Sequence, residues 1–179
     1  MNMLYSNVKL FFLTLAIVLF FSSTNAHGPS RQKVSESIEI NALPDEVWKV
    51  VSNFKEFEWN NTVKNVKSGG NNIGSERVIE FKSGAFIKQK LEKIDEKKMM
   101  INWRVIETDN KILPVNSYAA KIFVKSNDQK TTVLYKTGFY RGFMGNDPPP
   151  ELNDENSRKL VQNFVTTNLK GLKSIIEKK

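Results

Sequence analysis

The sequence predicts an α+β domain in which a curved antiparallel sheet of six to seven strands wraps around one long C-terminal helix. From residue 154 onward, apolar side chains recur at the spacing of an α-helix. Between residues 63 and 141 they instead alternate with polar ones, in short runs separated by turn sequences. Consecutive strands joined by short turns pair antiparallel, and only one face of these strands is apolar. We therefore expect the helix to cover that face.

The domain is expected to begin with one strand and two short helices. Residues 34–42 alternate polar and apolar side chains, which predicts the strand. Pro44 suits the first position of a helix, and residues 47–54 supply that helix with an apolar face. A second short helix, or a loop in its place, carries Phe57 and Trp59.

Six alternating runs predict the other strands. The sequences Gly-Gly-Asn-Asn at 69–72 and Asp-Glu-Lys-Lys at 95–98 are typical of the tight connections between them. Arg77 shares a face with Ile79 and Phe81, so we expect its guanidinium to point towards the helix. The six runs are 63–68, 75–82, 85–94, 99–107, 115–125 and 131–141.

The last helix has clear start signals. Three prolines at 148–150 exclude a helix directly before it, and Asn153 can cap its first turn. Asp154 and Glu155 then fall where negative charge suits the helix dipole. The apolar stripe continues to Ile176, which predicts a helix of about 25 residues, longer than is typical of globular proteins.

The first 26 residues are typical of a secretory signal peptide. Lys9 precedes an apolar run at 10–21 that is too short to span a bilayer, and small residues precede a cleavage point after Ala26. An uncleaved membrane anchor is the alternative. Cleavage would leave a flexible lead at 27–33 and one domain at 34–179, which would not be an integral membrane protein.

Composition excludes several kinds of chemistry. The chain has no cysteine, which rules out disulfides, thiolate catalysis and cysteine-ligated metals. His27 is the single histidine, so the sequence predicts no metal, no cofactor and no catalytic residue, and it leaves open only a carboxylate- or tyrosine-based mechanism. The net charge is +8, but the basic residues are scattered. Such a surface is either simply soluble or docks an acidic protein or a membrane surface, and we do not expect nucleic acid.

Several short motifs stand along the chain: Pro44-Asp45-Glu46-Val47-Trp48 with Val51, Phe54 and Trp59, then Gly74 with Arg77, Leu113-Pro114-Val115-Asn116-Ser117-Tyr118, Asp147-Pro148-Pro149-Pro150 and Gly171-Leu172-Lys173. Together with the order of elements, they resemble the START-like, or helix-grip, superfamily in its polyketide cyclase/dehydrase-like branch. With the predicted signal peptide and His27-Gly28-Pro29 after it, the chain is similar to the MxaD family of periplasmic methanol-oxidation accessory proteins. Related sequences commonly place a histidine after the tryptophan of the second helix, whereas Asn60 follows Trp59 here.

The resemblance implies a periplasmic, non-catalytic accessory or binding protein with an apolar cavity between sheet and helix. Its implied partners are methanol dehydrogenase and a c-type cytochrome. Two alternatives remain: a cyclase- or dehydratase-like enzyme acting on an apolar carbonyl compound, and a carrier of lipid or another hydrophobic small molecule. Residues 143–145 either contact a partner or pack under the helix.

Seven residues are candidates to bind a ligand. We expect Trp59 and Tyr118, in or beside loops, at the mouth of the cavity. Arg77 either forms an internal salt bridge, extends its head outward or anchors an anionic or polar ligand. Gln89 is expected to bind either the ligand or else Arg77 or water. Arg141, at a strand end, is expected to be exposed. The seven are Trp59, Arg77, Gln89, Trp103, Tyr118, Tyr135 and Arg141.

Overall fold

A computed structural model describes residues 28–127 and 130–178. Its two helices are α1 (Pro44–Val51) and α2 (Asp154–Glu177), and a short 3-10 turn, Pro150–Leu152, precedes α2. The predicted signal peptide and His27 lie outside the described residues. The strands are β1 (Gln32–Ile40), β2 (Val63–Ser68), β3 (Glu76–Phe81), β4 (Phe86–Asp95), β5 (Met100–Thr108), β6 (Val115–Asn127) and β7 (Lys130–Arg141).

The seven strands form one antiparallel sheet in the order β1-β7-β6-β5-β4-β3-β2. The first strand therefore pairs with the last, and the other strands follow one another along the chain. Helix α2 packs against β1 and β7 on the concave face of this curved sheet. The predicted α+β helix-grip architecture is confirmed.

Helix α2 forms where its local signals place it. The side-chain oxygen of Asn153 accepts a hydrogen bond from the backbone N–H of Asn156 at 2.8 Å, as expected of a cap. The helix is 24 residues long, and its apolar stripe is buried against the sheet. Each fully buried aliphatic or aromatic side chain in that stripe stabilises the fold by about 1.5–3 kcal/mol. The buried apolar side chains of α2 are Val161, Phe164, Val165, Leu169, Leu172 and Ile176.

Residues 52–62, where a second short helix was one expectation, form turns instead. The backbone carbonyls of Phe54 and Glu56 accept hydrogen bonds from the Arg77 guanidinium, which belongs to a distant strand. The side-chain oxygen of Asn60 accepts from the backbone N–H of Thr62, which closes a further turn. The expectation of a second short helix is therefore wrong and its alternative, a loop, is correct, because contacts with residues outside the segment fix the backbone here.

Strand β1 begins at Gln32, so it takes in the last residues of the lead that was expected at 27–33. Pairing with β7 fixes these residues, since Gln32 lies opposite Phe139. Among the described residues, no helix has the length and apolar character that crossing a membrane requires.

Candidate functional site

Polar side chains collect on the concave face of the sheet, under α2. Side chains alternate between the two faces along each strand, so each of β3 to β7 places at least one polar or aromatic side chain on the concave face. Helix α2 contributes one asparagine to the same region. All of them are buried. We call them the interior polar cluster, which consists of Arg77, Gln89, Trp103, Tyr118, Tyr135, Thr137 and Asn168.

Arg77 is at one end of the cluster. Its Nε donates to the side-chain oxygen of Gln89 at 2.9 Å, and its Nη1 donates to the backbone carbonyls of Phe54 and Glu56 at 3.1 and 3.0 Å. The guanidinium also lies over the rings of Phe54 and Phe57, 4.1 and 4.6 Å from their centroids. Burial lowers the pKa of Arg77 to about 9, because removal from water disfavours the charged form.

Two of the three expectations for Arg77 are wrong. Within residues 28–127 and 130–178, no carboxylate oxygen lies within 4.0 Å of its nitrogens, so it forms no internal salt bridge. Its head does not extend outward either, since the residue is buried. Gln89 does accept a hydrogen bond from Arg77, which was one of the two expectations for it.

Two tyrosines lie at the centre of the cluster. The hydroxyl oxygens of Tyr118 and Tyr135 are 3.4 Å apart, and the ring of Trp103 meets that of Tyr135 edge-on at 5.7 Å. Burial raises the pKa of Tyr135 to about 12 and raises the pKa of Tyr118 well above its usual range. Both phenols are therefore neutral near pH 7. Ser117, beside Tyr118, has a φ of 49° at an irregular point of β6.

Four buried polar atoms of the cluster lack a hydrogen-bond partner: Gln89 Nε2, Trp103 Nε1, Thr137 Oγ1 and Asn168 Nδ2. Thr137 and Asn168 lie near enough to the tyrosine hydroxyls to influence their pKa values, although neither makes a hydrogen bond of good geometry there. Three of the four atoms are N–H donors. The interior thus holds more donors than acceptors.

Residues 52–62 separate the cluster from the surface. A surface cleft of about 470 Å³ is bounded by this segment and β2, including Phe57 and Asn60. Phe57 contacts the Arg77 guanidinium, and Asn60 Nδ2 donates to Asn168 Oδ1 at 2.9 Å. One layer of side chains therefore lies between the cleft and the cluster.

The expected mouth residues lie inside the protein instead. Trp59 and Tyr118 are both buried, Trp59 beneath α2 and Tyr118 against Phe139. Sequence reasoning missed Thr137, Asn168 and the contact made by Asn60. A polar residue in the apolar stripe of α2 is the signal that could have identified Asn168.

Arg141 is buried, so the expectation that it is exposed is wrong. Its Nη1 pairs with Asp154 in the first turn of α2 at 2.8 Å, and its Nε and Nη2 donate to the carbonyls of Phe143 and Gly145. It ties the start of α2 to the loop after β7, which is a structural position. In that loop, Phe143 and Met144 are 38% and 49% exposed.

The described part of the chain contains no group of three or more histidine, aspartate or glutamate side chains that could hold a metal ion. The cluster presents neutral hydrogen-bond donors and one cation to the protein interior, and its side chains do not line the surface cleft beside residues 52–62. A long helix gripped by a curved antiparallel sheet, with polar groups on the concave face, defines a helix-grip protein.

Comparison with known sequences gives the family. Residues 31–177 match the family described as "Polyketide cyclase / dehydrase and lipid transport", and the chain belongs to it. No curated protein matches the sequence.

Solved structures share the fold. An uncharacterised protein from Bacillus thuringiensis has a TM-score of 0.68 at 20% identity, covering 81% of this chain and 98% of its own. The protein XoxI from Bacillus cereus has a TM-score of 0.67 at 21% sequence identity, and the match covers 80% of this chain and 94% of XoxI. A third structure is norcoclaurine synthase from Thalictrum flavum in complex with dopamine and hydroxybenzaldehyde. Its TM-score is 0.64 at 14% sequence identity, and the match covers 84% of this chain and 88% of the synthase. At these identities the likeness concerns the fold.

Proposed function

We propose that this protein is a non-catalytic binding protein that holds a small, largely apolar molecule by its polar end, between the sheet and α2. The observation that carries the proposal is the set of four unpartnered polar atoms in the interior polar cluster. Each such atom costs about 1–3 kcal/mol, so native interiors keep few of them. A ligand that offers acceptors would recover part of this free energy.

The cluster is better suited to holding a molecule than to transferring protons. A general base works best when its pKa lies near the operating pH. Burial moves the pKa values of Tyr118 and Tyr135 upward, away from neutrality, so these phenols can donate hydrogen bonds but are poor bases. The cyclase- or dehydratase-like alternative is therefore less well supported than binding.

The relatives support a binding role. The family description includes lipid transport. The Thalictrum flavum enzyme was solved with two small aromatic compounds, so a protein of this fold can hold such molecules. In the present chain, access would require the Phe57 side chain to move, because it lies between the surface cleft and Arg77.

Binding can be tested with protein stripped of bound lipid, using the neutral dye Nile red as the probe. Ala120 lies on β6 between Trp103 and Thr137 on the concave face, so Ala120→Leu would place a larger side chain where the ligand is proposed to lie. Ala119, the neighbouring residue, faces the opposite side of the sheet, and Ala119→Leu is the matched control.

We expect Nile red fluorescence to rise on binding to the wild type and to Ala119→Leu, with affinity reduced about tenfold or more in Ala120→Leu. Thermal unfolding of each variant shows that it is folded. A stripped wild type that takes up no dye, or an Ala120→Leu variant that binds as the wild type does, would contradict the proposal.

The accessory role in methanol oxidation is the finer part of the proposal. It is supported by the predicted signal peptide, which would deliver the protein to the periplasm, by the MxaD resemblance and by the net charge of +8. The exposed Phe143 and Met144 offer a contact surface for a partner. The test is a pull-down with purified methanol dehydrogenase and a c-type cytochrome, comparing wild type with a Phe143→Ser, Met144→Ser double variant. Capture of neither protein by the wild type would contradict this role.

A further inference from the structure

In the interior polar cluster both side-chain amide oxygens accept hydrogen bonds, whereas three N–H donors have no partner. The side-chain oxygen of Gln89 accepts from Arg77, and that of Asn168 accepts from Asn60. The amide nitrogens of Gln89 and Asn168 and the indole nitrogen of Trp103 have no partner. A ligand that complements these groups must supply acceptors rather than donors.

The cluster also has an uncompensated charge. All three hydrogen bonds that Arg77 makes in the described structure go to neutral oxygens, those of Gln89, Phe54 and Glu56. A buried cation without an anion is costly, and burial already disfavours the charged guanidinium. Aromatic rings offset part of this cost, since Arg77 lies over Phe54, Phe57 and, at 5.5 Å, Trp103.

The free donors are close to this charge. Arg77 and Gln89 are direct cross-strand partners of β3 and β4. Leu91, which lies one inward position beyond Gln89 on β4, pairs with Trp103 on β5. The guanidinium, the amide and the indole therefore occupy neighbouring positions of the concave face, and an acceptor placed there would meet both the charge and the donors.

Building on the proposed function, we propose that the ligand is a small carboxylic acid with an apolar tail, bound as the carboxylate beside Arg77, Gln89 and Trp103. A carboxylate brings one negative charge and two oxygens. These match the charge of Arg77, whose Nη2 makes no hydrogen bond in the described structure, and the unpartnered N–H donors of Gln89 and Trp103. A phosphate monoester would carry about −1.5 to −2 at neutral pH against this single cation. The tail would have to enter the core among buried side chains such as Ile79, Leu91, Val165 and Leu169, which must move apart to admit it.

The first experiment compares sodium octanoate with 1-octanol, which have the same number of carbons, on stripped wild-type protein at pH 7 by isothermal titration calorimetry. Charge-assisted hydrogen bonds are about twice as strong as neutral ones. We expect octanoate to bind at least about tenfold more tightly than octanol. Equal affinities would overturn the carboxylate proposal and leave the proposed binding function standing, whereas binding of neither probe, with no Nile red uptake, would overturn both.

The second experiment assigns the preference to one residue. In Arg77→Gln the advantage of octanoate over octanol should disappear. Arg104→Gln is the matched control, because Arg104 lies on the convex face with a side chain 51% exposed, and there the advantage should persist. A folded Arg77→Gln protein that keeps the preference for octanoate would overturn the proposal. If Arg77→Gln does not fold, the ratio of the octanoate affinity to the octanol affinity in the wild type decides whether the carboxylate proposal stands.

Discussion

Replacing Gly171 with alanine tests how closely α2 lies on residues 52–62. In the interior of a helix, alanine is favoured over glycine by about 0.8–1.0 kcal/mol, so in free space the substitution would stabilise α2. Here a Cβ at position 171 would lie 1.5 Å from the carbonyl oxygen of Trp59 and 2.5 Å from its carbonyl carbon. Both atoms belong to the backbone, so no side-chain rotation can relieve the overlap.

Either α2 or the segment carrying Trp59 must therefore move away. Overpacking of this kind costs about 1–3 kcal/mol, and sometimes more, which exceeds the gain in helix propensity. We expect Gly171→Ala to lower the free energy of unfolding by roughly 1–2 kcal/mol or more and the melting temperature by several degrees.

Urea unfolding followed by circular dichroism measures this difference. Lys170→Ala, at the exposed neighbouring position, is the control and should change stability by no more than about 0.5 kcal/mol. If Gly171→Ala is more stable than the wild type, α2 does not pack on the Trp59 carbonyl as described. That result would also remove the cover assigned to the interior polar cluster.

Three other substitutions test separate parts of the structure. The pKa of folded Tyr135 is raised to about 12, so between pH 10 and pH 12 the phenol ionises in the unfolded chain but not in the folded one. The free energy of unfolding of the wild type therefore loses roughly 1.4 kcal/mol per pH unit in that window because of Tyr135, and Tyr135→Phe should abolish this loss. The lowered pKa of Arg77 acts in the opposite direction, so the difference between the pH–stability slopes of variant and wild type is compared, and identical slopes would contradict the burial of that phenol. Arg141→Met should cost about 2–3 kcal/mol in urea unfolding, because it breaks the pair with Asp154 and leaves two carbonyls without their donor; an unchanged midpoint would show that the pair does not hold the loop. Asn153→Ala should cost about 1 kcal/mol by the same measurement, through loss of the cap, and no loss would exclude the cap.

The sheet and α2 were predictable because their signals are local. Alternation identifies the inward phase of each strand, and Asn153 marks the start of α2 without knowledge of the rest of the chain. The same alternation correctly placed Arg77 with Ile79 and Phe81 on the inward face.

The errors concern contacts between segments distant in sequence. The turns at 52–62 depend on the guanidinium of Arg77, which lies more than 20 residues further on. The burial of Arg141 depends on Asp154 at the start of α2. Periodicity shows which face a residue occupies, but it does not show whether a strand end is covered.

The candidate site was predictable only in part, and only where strand alternation identifies the inward-facing residues. Arg77 and Gln89 were identified because they are polar residues in an apolar phase, whereas Tyr118 was chosen as a mouth residue beside a loop. Thr137 shares that phase but was taken as an ordinary strand residue, and the link from Asn60 to Asn168 joins a loop to a helix 108 residues away. Sequence spacing holds no information on that pairing.

In the proposed function the interior polar cluster receives a ligand, and the indole N–H of Trp103 reports on this directly. The chain has three tryptophans, so a ¹⁵N-labelled sample gives three indole signals, of which Trp103→Phe identifies one. On addition of octanoate, we predict a large shift of the Trp103 signal as its unpartnered Nε1 gains an acceptor, with smaller changes at Trp48, whose Nε1 already donates to Glu96. A Trp103 signal that stays in place at saturating octanoate would contradict the claim.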